Sequence, residues 1–209
     1  MMANDVRICD GVDVSRETYD QLRKFEALIQ KWSPKINLIS KSDLHQVWER
    51  HIVDSAQIWP IASSRNGIWA DLGAGGGFPA IVLAILSAAT TNQTAFTMVE
   101  SDTRKSVFLR TAIRELGLKN ANVVAERIES IDPLKATTIT ARALAPLKDL
   151  LALCERHLAP DGLAIFPKGE RAKQEVEEAT KTWNFSISEH SSQTSGGAKI
   201  LVIKDLQRA

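Results

Sequence analysis

The chain is poor in most of the features that place a protein at a glance. Its 209 residues include two cysteines, one tyrosine and four histidines, and 26 Lys plus Arg against 25 Asp plus Glu leave a net charge of +1. Cys9 and Cys154 are far apart and lack metal-ligand spacing, so neither a disulfide framework nor a zinc site is suggested, and Cys154 in "DLLALCERHL" reads as core. Balanced charge gives no global attraction to nucleic acid or membrane; a polyanion must meet a local patch. With one tyrosine, and tryptophans at helical core spacing, there is no aromatic platform for stacking single-stranded bases. The longest apolar run, "FPAIVLAILSAA", has 12 residues, against the roughly 20 that a bilayer helix needs. The opening "MMANDVRICDGVDVS" has no apolar centre like that of a secretory signal, and the expectation is a soluble, cytoplasmic protein without a membrane partner.

What remains is ordinary globular composition, 44% hydrophobic and 24% charged, read as a single domain over residues 1–209. Ser15 caps a segment with Leu22, Phe25, Ile29 and Trp32 at helical spacing, and Ser33-Pro34 is expected to end it. A second helix is expected from Asp43 to Pro60, with Leu44, Val47, Trp48, Ile52, Ser55 and Trp59 on one face. Residues 1–65 therefore read as a helical extension. From residue 66 the rhythm changes to seven β-rich runs: "GIWADLG", "AFTMVE", "NVVAE", "TTITARA", "GLAIFPK", "NFSISEH" and "AKILVIKD". Helical segments separate most of them, which predicts an α/β fold with a parallel, doubly wound sheet. The last two runs are joined only by "SSQTSGG", too short for a parallel crossover, so that pair is expected to be antiparallel.

The stretch "DLGAGGGFP" (71–79) lies at the carboxyl end of the first of these strands, where open α/β sheets bind their ligands. Glycines permit a tight turn and let a ligand approach the backbone. The dinucleotide pattern G-x-G-x-x-G fails, because the sixth position counted from Gly73 is Phe78. Gly73, Gly75 and Gly77 instead form G-x-G-x-G behind Asp71, whose carboxylate would repel a pyrophosphate and favour a cationic ligand. S-adenosylmethionine is such a ligand, with a sulfonium and an ammonium group. Glu100, ending the second strand, stands where a carboxylate accepts from both ribose hydroxyls, although NAD proteins use the same device. Phe78 is either core or pocket wall. Together these residues point to a class I S-adenosylmethionine-dependent methyltransferase, with no metal.

Six stretches then coincide: "NLIS" (37–40), "RHIVDS" (50–55), "DLGAGGGFP" (71–79), "ESDTRKSVFL" (100–109), "ARALAPL" (141–147) and "PKG" (167–169). In order and approximate spacing they resemble the bacterial small-subunit ribosomal RNA guanine-N7 methyltransferases, also called glucose-inhibited division protein B, from about Ser15 to the last strand. The resemblance implies a Rossmann-like core (66–209) behind the N-terminal extension. It implies methyl transfer from S-adenosylmethionine, leaving S-adenosylhomocysteine, to N7 of a guanine of 16S rRNA in a stem-loop near the decoding site. The partner is then 16S rRNA or the small ribosomal subunit, and the protein is taken as a monomer. Carried over by motif, cofactor contacts fall on Gly73, Phe78, the pair Ile128-Glu129 framing the adenine, and Arg142. Ala80 stands where many relatives have glycine, and "ARALAPL" varies the common "SRAFAPL" while keeping Arg142.

Guanine N7 carries a lone pair and no proton, so it needs no general base, and catalysis can consist mostly of placement. Arg142 and Lys168, at the tips of the fourth and fifth strands, are the candidate donors to guanine O6 or a nearby phosphate. His51 and Asp54 of "RHIVDS" are either functional or structural; with Asn37 they are read as the extension closing over the cofactor site. Lys31, Lys35, Lys41, Arg104, Lys105, Arg110 and Arg114 are the pool from which an RNA-binding patch would draw. The competing readings are a methyltransferase with another substrate, an NAD-dependent oxidoreductase, and a non-catalytic ribosome assembly factor.

Overall fold

The computed structural model describes residues 5–62, 66–91 and 93–209. The boundary expected between residues 65 and 66 abuts residues 63–65, which lie outside the described residues, as does the opening "MMAN". Seven strands form one sheet in the order β5-β4-β3-β6-β7-β9-β8. They are β3 (Gly67–Leu72), β4 (Thr94–Val99), β5 (Ala121–Val124), β6 (Ala136–Thr140), β7 (Leu158–Lys168), β8 (Trp183–Ser191) and β9 (Lys199–Arg208). The first five pair in parallel; β8 and β9 pair antiparallel, as the short link predicted, and β9 also runs antiparallel to β7. From β3 the chain moves outward to β4 and β5, then returns to β6 on the other side of β3. That reversal is the switch point at which a crevice opens beyond the strand ends.

Successive residues of a strand face opposite sides of a sheet, and here they feed two cores. Trp69, Phe96, Met98 and Ile165 pack with the helices α1 (Arg16–Ile36), α3 (Ala80–Ala88) and α4 (Thr103–Leu116). Ala70, Ile139, Ala164 and Phe166 pack with α5 (Leu147–His157) and α6 (Ala172–Ala179). Trp69 is the largest fully buried side chain; its ring stacks between Phe96 at 5.5 Å and Trp59 at 6.5 Å, and its Nε1 donates to Thr140 Oγ1 at 3.2 Å. Burial of such a ring is worth about 3 kcal/mol, and the satisfied N–H keeps that gain from being offset. The apolar run of α3 is explained by position: Ala80 to Ser87 are all buried, under α1 and against the sheet. The α4 helix starts at Asp102, whose carboxylate accepts from Arg104 N and Lys105 N, and ends at Gly117 with φ +66.

Three features of the extension differ from expectation. A hairpin, β1 (Val6–Cys9) and β2 (Val12–Val14), precedes the first helix, turning at Gly11 with φ +79. Helix α1 does not end at Pro34 but continues to Ile36, where Asn37 takes a left-handed φ of 58 and its N–H bonds Ser33 O. Pro34 is tolerated because it sits in the last turn, on the exposed side, and deprives only the carbonyl of exposed Gln30 of an amide. The single helix expected from Asp43 to Pro60 is instead three short pieces: a 3-10 turn over Lys41–His45, a π turn over Trp48–Val53 and one α turn, α2 (Asp54–Ala56). The π turn widens the helix where the His51 ring and the Arg50 carbonyl face Arg142.

Candidate functional site

The glycine loop after β3 roofs a cavity of about 570 Å³ at the carboxyl ends of β3 and β4. Gly75 N donates to Glu100 Oε2 at 2.8 Å, and Asp102 N donates to Glu100 Oε1 at 2.8 Å. Glu100 thus ties the loop to the tip of β4. A carboxylate has about four acceptor positions, so two remain for a diol on the cavity side. Gly75 has φ +53, and a Cβ added there would meet nothing nearer than Gly73 O at 3.7 Å, so it would project into open cavity. Gly77 is needed for packing instead: a Cβ there would lie 2.6 Å from Ile81 Cγ1, at φ +85.

Phe78 joins both readings given above. Its ring packs 5.1 Å from Phe25 and 4.9 Å from His51, yet it lines the cavity. Ile128 and Glu129 occupy a 3-10 turn after β5 and line the opposite side. His157 holds that turn by donating from Nε2 to Ile128 O at 3.0 Å, which fixes its tautomer. Gly73 lines the cavity as well.

Asp71 is placed differently from the sequence reading, which put its carboxylate against a cationic ligand. It lies beneath the loop rather than on the cavity wall, 1% exposed. Oδ1 accepts from Thr140 Oγ1 at 2.6 Å, while Oδ2 has no partner among the described residues. Burial raises this carboxyl from 3.8 to about 7, against the lowering effect of the Thr140 bond, with nearby Glu100 raising it further. Any action on a cationic ligand is therefore through space.

Arg142, two residues beyond β6, is anchored on three sides. Nη1 bonds His51 Nδ1 at 2.9 Å, Nη2 donates to Arg50 O at 2.8 Å, and Nη2 lies 3.2 Å from Asp54 Oδ2. An arginine only donates, so His51 Nδ1 is the acceptor and the ring proton sits on Nε2, 3.4 Å from Asp43 Oδ2. Burial and the facing guanidinium push the imidazole down to about 4, leaving it neutral at physiological pH with its lone pair occupied. His51 is thus built to orient Arg142, not to accept a proton. Asp54 Oδ1 in turn accepts from Thr194 Oγ1 at 2.6 Å and Gln57 Nε2 at 2.9 Å, and Gln57 Oε1 accepts from Gln193 N at 2.8 Å. The β8–β9 loop is locked to the extension through these bonds.

A second cavity of about 500 Å³ lies across Arg142, Ala143 and Leu144, which line both. Ala143 adopts φ 52, a left-handed backbone that costs a non-glycine residue on the order of 1 kcal/mol and bends the loop between the cavities. Lys168 lines the second cavity, but two of its three donors are committed, to Ala145 O at 2.9 Å and Glu175 Oε2 at 2.8 Å. Glu175 Oε2 also accepts from Leu147 N at 2.8 Å. Of the seven basic residues pooled for RNA, Lys105 lines the first cavity, and the other six are exposed on α1, the following turn and α4. The sequence reading did not single out Glu175, Thr194 or Lys199. All three line the second cavity, and no motif marks them. Among the described residues no group of three or more metal-ligating side chains is present, and no helix is long and apolar enough to cross a membrane.

Residues 18–203 match the family described as GidB: rRNA small subunit methyltransferase G. A protein of Ruegeria pomeroyi named ribosomal RNA small subunit methyltransferase G is 48% identical over 197 residues, covering 94% of this chain and 96% of that one. Among solved structures, the ribosomal protein L11 methylase of Lactobacillus delbrueckii superposes with a TM-score of 0.59 at 19% identity over 74% of this chain and 78% of that one. The M. jannaschii TYW2 structure, solved in complex with AdoMet, gives 0.55 at 14% identity over 84% and 80%. Likenesses at such low identity establish the fold: the sheet is that of the class I methyltransferases.

Proposed function

The chain belongs to the rRNA small subunit methyltransferase G family, and from that premise we propose that it transfers a methyl group from S-adenosylmethionine to N7 of a guanine in 16S rRNA. The observation that carries this reading is the meeting of two cavities at Arg142–Leu144, one under the glycine loop and one on the far side of those residues. Methyl transfer requires donor and acceptor to lie in line across such a junction, with reacting atoms about 3 to 3.5 Å apart. The first cavity suits the donor. Glu100 has acceptors left for ribose hydroxyls, Gly75 leaves space where a side chain would intrude, and Ile128 and Glu129 offer an apolar and an acidic neighbour for the adenine. Gly73 and Phe78 complete its wall, and Asp71, buried beneath the loop with its carboxyl raised to about 7, would favour a cation only in its ionised form. When bound, S-adenosylmethionine supplies an electrophilic methyl on sulfur; the protein's part is to hold and orient.

On this reading Arg142 is a positioning donor at the junction, its guanidinium fixed by His51, Asp54 and the Arg50 carbonyl. The neutral, lone-pair-engaged His51 agrees with a reaction that has no proton to remove. The extension and the sheet would act together as a single domain and a monomer. Separate placement of the most exposed large apolar residues, Val107 on α4, Leu144 in the β6–α5 loop and Ile187 on β8, favours that state. The test is where label goes. Purified protein with methyl-tritiated S-adenosylmethionine and a cell extract lacking this protein should label small-subunit rRNA, and calorimetry should detect S-adenosylhomocysteine but not NADH. Label in protein or in small molecules alone would overturn the substrate. Tight subunit binding without label would favour an assembly factor.

A further inference from the structure

The second cavity carries more than a place for an acceptor. Six charged residues line it, the cations Arg50, Arg142, Lys168 and Lys199 and the carboxylates Asp54 and Glu175, an excess of positive charge on a chain that is otherwise balanced. Asp54 is spent on Thr194, Gln57 and Arg142. Glu175 is not: both bonds it accepts, from Lys168 and Leu147 N, fall on Oε2, which leaves Oε1 as an acceptor. Lys168 keeps one of its three donors. An unspent donor on Lys168 and an unspent acceptor on Glu175 therefore sit on two side chains joined by the 2.8 Å bond from Lys168 Nζ to Glu175 Oε2, next to the loop that divides the two cavities.

We propose that Lys168 and Glu175 form the guanine-reading pair of the acceptor site, with Lys168 donating to O6 and Glu175 Oε1 accepting from N1–H and the 2-amino group. The proposal rests on the methyltransferase reading above and deepens it. The order of atoms supports it. Around the guanine ring N7 is followed by O6 and then by N1–H, an acceptor, an acceptor and a donor. Along the cavity wall the Arg142–Leu144 junction is followed by Lys168, bonded to Ala145 O, and then by Glu175, bonded to Lys168. With N7 at the junction the two orders match. Adenine presents the reverse pattern on the same edge, a donor at N6 and an acceptor at N1, and would set donor against ammonium and acceptor against carboxylate. Burying such mismatched groups is what gives a hydrogen-bonding site its discrimination. Arg50 and Lys199 also line the cavity and would meet the flanking phosphates.

The experiment uses small subunits reconstituted with 16S rRNA in which the methylated position carries guanine, 1-methylguanine or adenine, under single-turnover conditions with saturating S-adenosylmethionine. Wild-type protein should modify guanine and lose at least about 30-fold in rate with 1-methylguanine, which keeps N7 and O6 but blocks N1. An unaltered rate with 1-methylguanine would overturn the pair without any variant being made. Glu175→Gln, which turns an amide donor toward N1–H, should lose about 30-fold or more on guanine, keep its affinity for S-adenosylhomocysteine within about twofold, and narrow the preference for guanine over adenine. Equal losses on guanine and adenine would mean that Glu175 only supports the α5 N-terminus, and would overturn its reading role. Failure of wild-type protein to methylate unmodified guanine would instead sink the functional reading, and the pair with it.

Discussion

Asp71→Asn should stabilise the protein at alkaline pH and do almost nothing at acid pH. The carboxyl is 1% exposed and has a single partner, Thr140 Oγ1, with Oδ2 unbonded among the described residues. Burial raises it from 3.8 to about 7. Because the folded value lies above the unfolded one, the native state holds a proton that the unfolded chain releases. The contribution is whole below pH 3.8 and is lost as pH rises through about 7. A shift of this size corresponds to an upper bound of about 4 kcal/mol by pH 8, or on the order of 10 °C in Tm for a chain of this length. The amide preserves the Thr140 bond and cannot ionise, so the variant escapes that loss. Thermal unfolding of both proteins between pH 3 and 8.5 should show curves that coincide below about pH 4, separate progressively as pH rises to about 7, and keep a constant gap above it. A constant Tm difference across the range would refute the buried, reluctant carboxylate.

Arg142→Ala removes the donors on which His51, the Arg50 carbonyl and Asp54 depend. Methyl transfer should fall about 10- to 100-fold with a folded protein, and the His51 imidazole should rise from about 4 toward its ordinary value, followed by NMR titration; an unaltered single-turnover rate would take Arg142 out of the site. His51→Ala should loosen Arg142 without introducing or removing any titration of the chemical step near neutral pH, since the ring is neutral there already; loss of a pH-rate inflection near 7 would argue for a general base. Gly75→Val places a branched side chain at φ +53 inside the first cavity and should weaken S-adenosylhomocysteine binding at least about 100-fold by calorimetry, whereas unchanged affinity would refute the placement of the cofactor. Gly77→Ala, with its Cβ 2.6 Å from Ile81 Cγ1, should lower stability by about 2 kcal/mol in urea unfolding; a neutral result would mean that the α3 N-terminus yields freely.

Much of the sheet was legible because its central strands β3, β6 and β7 are largely buried and helices separate most of the runs, so each of the seven runs expected along the chain forms a strand; the spatial order of the strands was not read. The glycine loop and Glu100 were legible because their work is local: backbone conformation at Gly75, and a carboxylate at the adjacent strand tip. The hairpin turning at Asp10-Gly11 was also readable, since an Asp-Gly pair between β-branched residues is a hairpin signal, but it is too short to stand out before a 21-residue helix. The break in the second helix was not readable. Its apolar face is continuous, and the π turn forms where His51 and the Arg50 carbonyl bond Arg142, about 90 residues away. The engagement of Lys168 with Glu175 was hidden in the same way: a strand tip and a helical position seven residues on become neighbours only once the intervening turn is built. Asp71 shows the opposite limit, since its place at a strand tip was evident but not that the loop would close over it.

The most direct measurement maps the product. Small subunits, and separately bare 16S rRNA, from cells lacking the modification are incubated with the protein and S-adenosylmethionine, reduced, and cleaved by aniline, which cuts the strand at N7-methylguanine. Scission at a single guanine near the decoding site, dependent on both protein and cofactor, is the predicted result. Methyl incorporated elsewhere in the rRNA, or on another atom with no scission, would contradict the placement of guanine N7 at the junction of the two cavities.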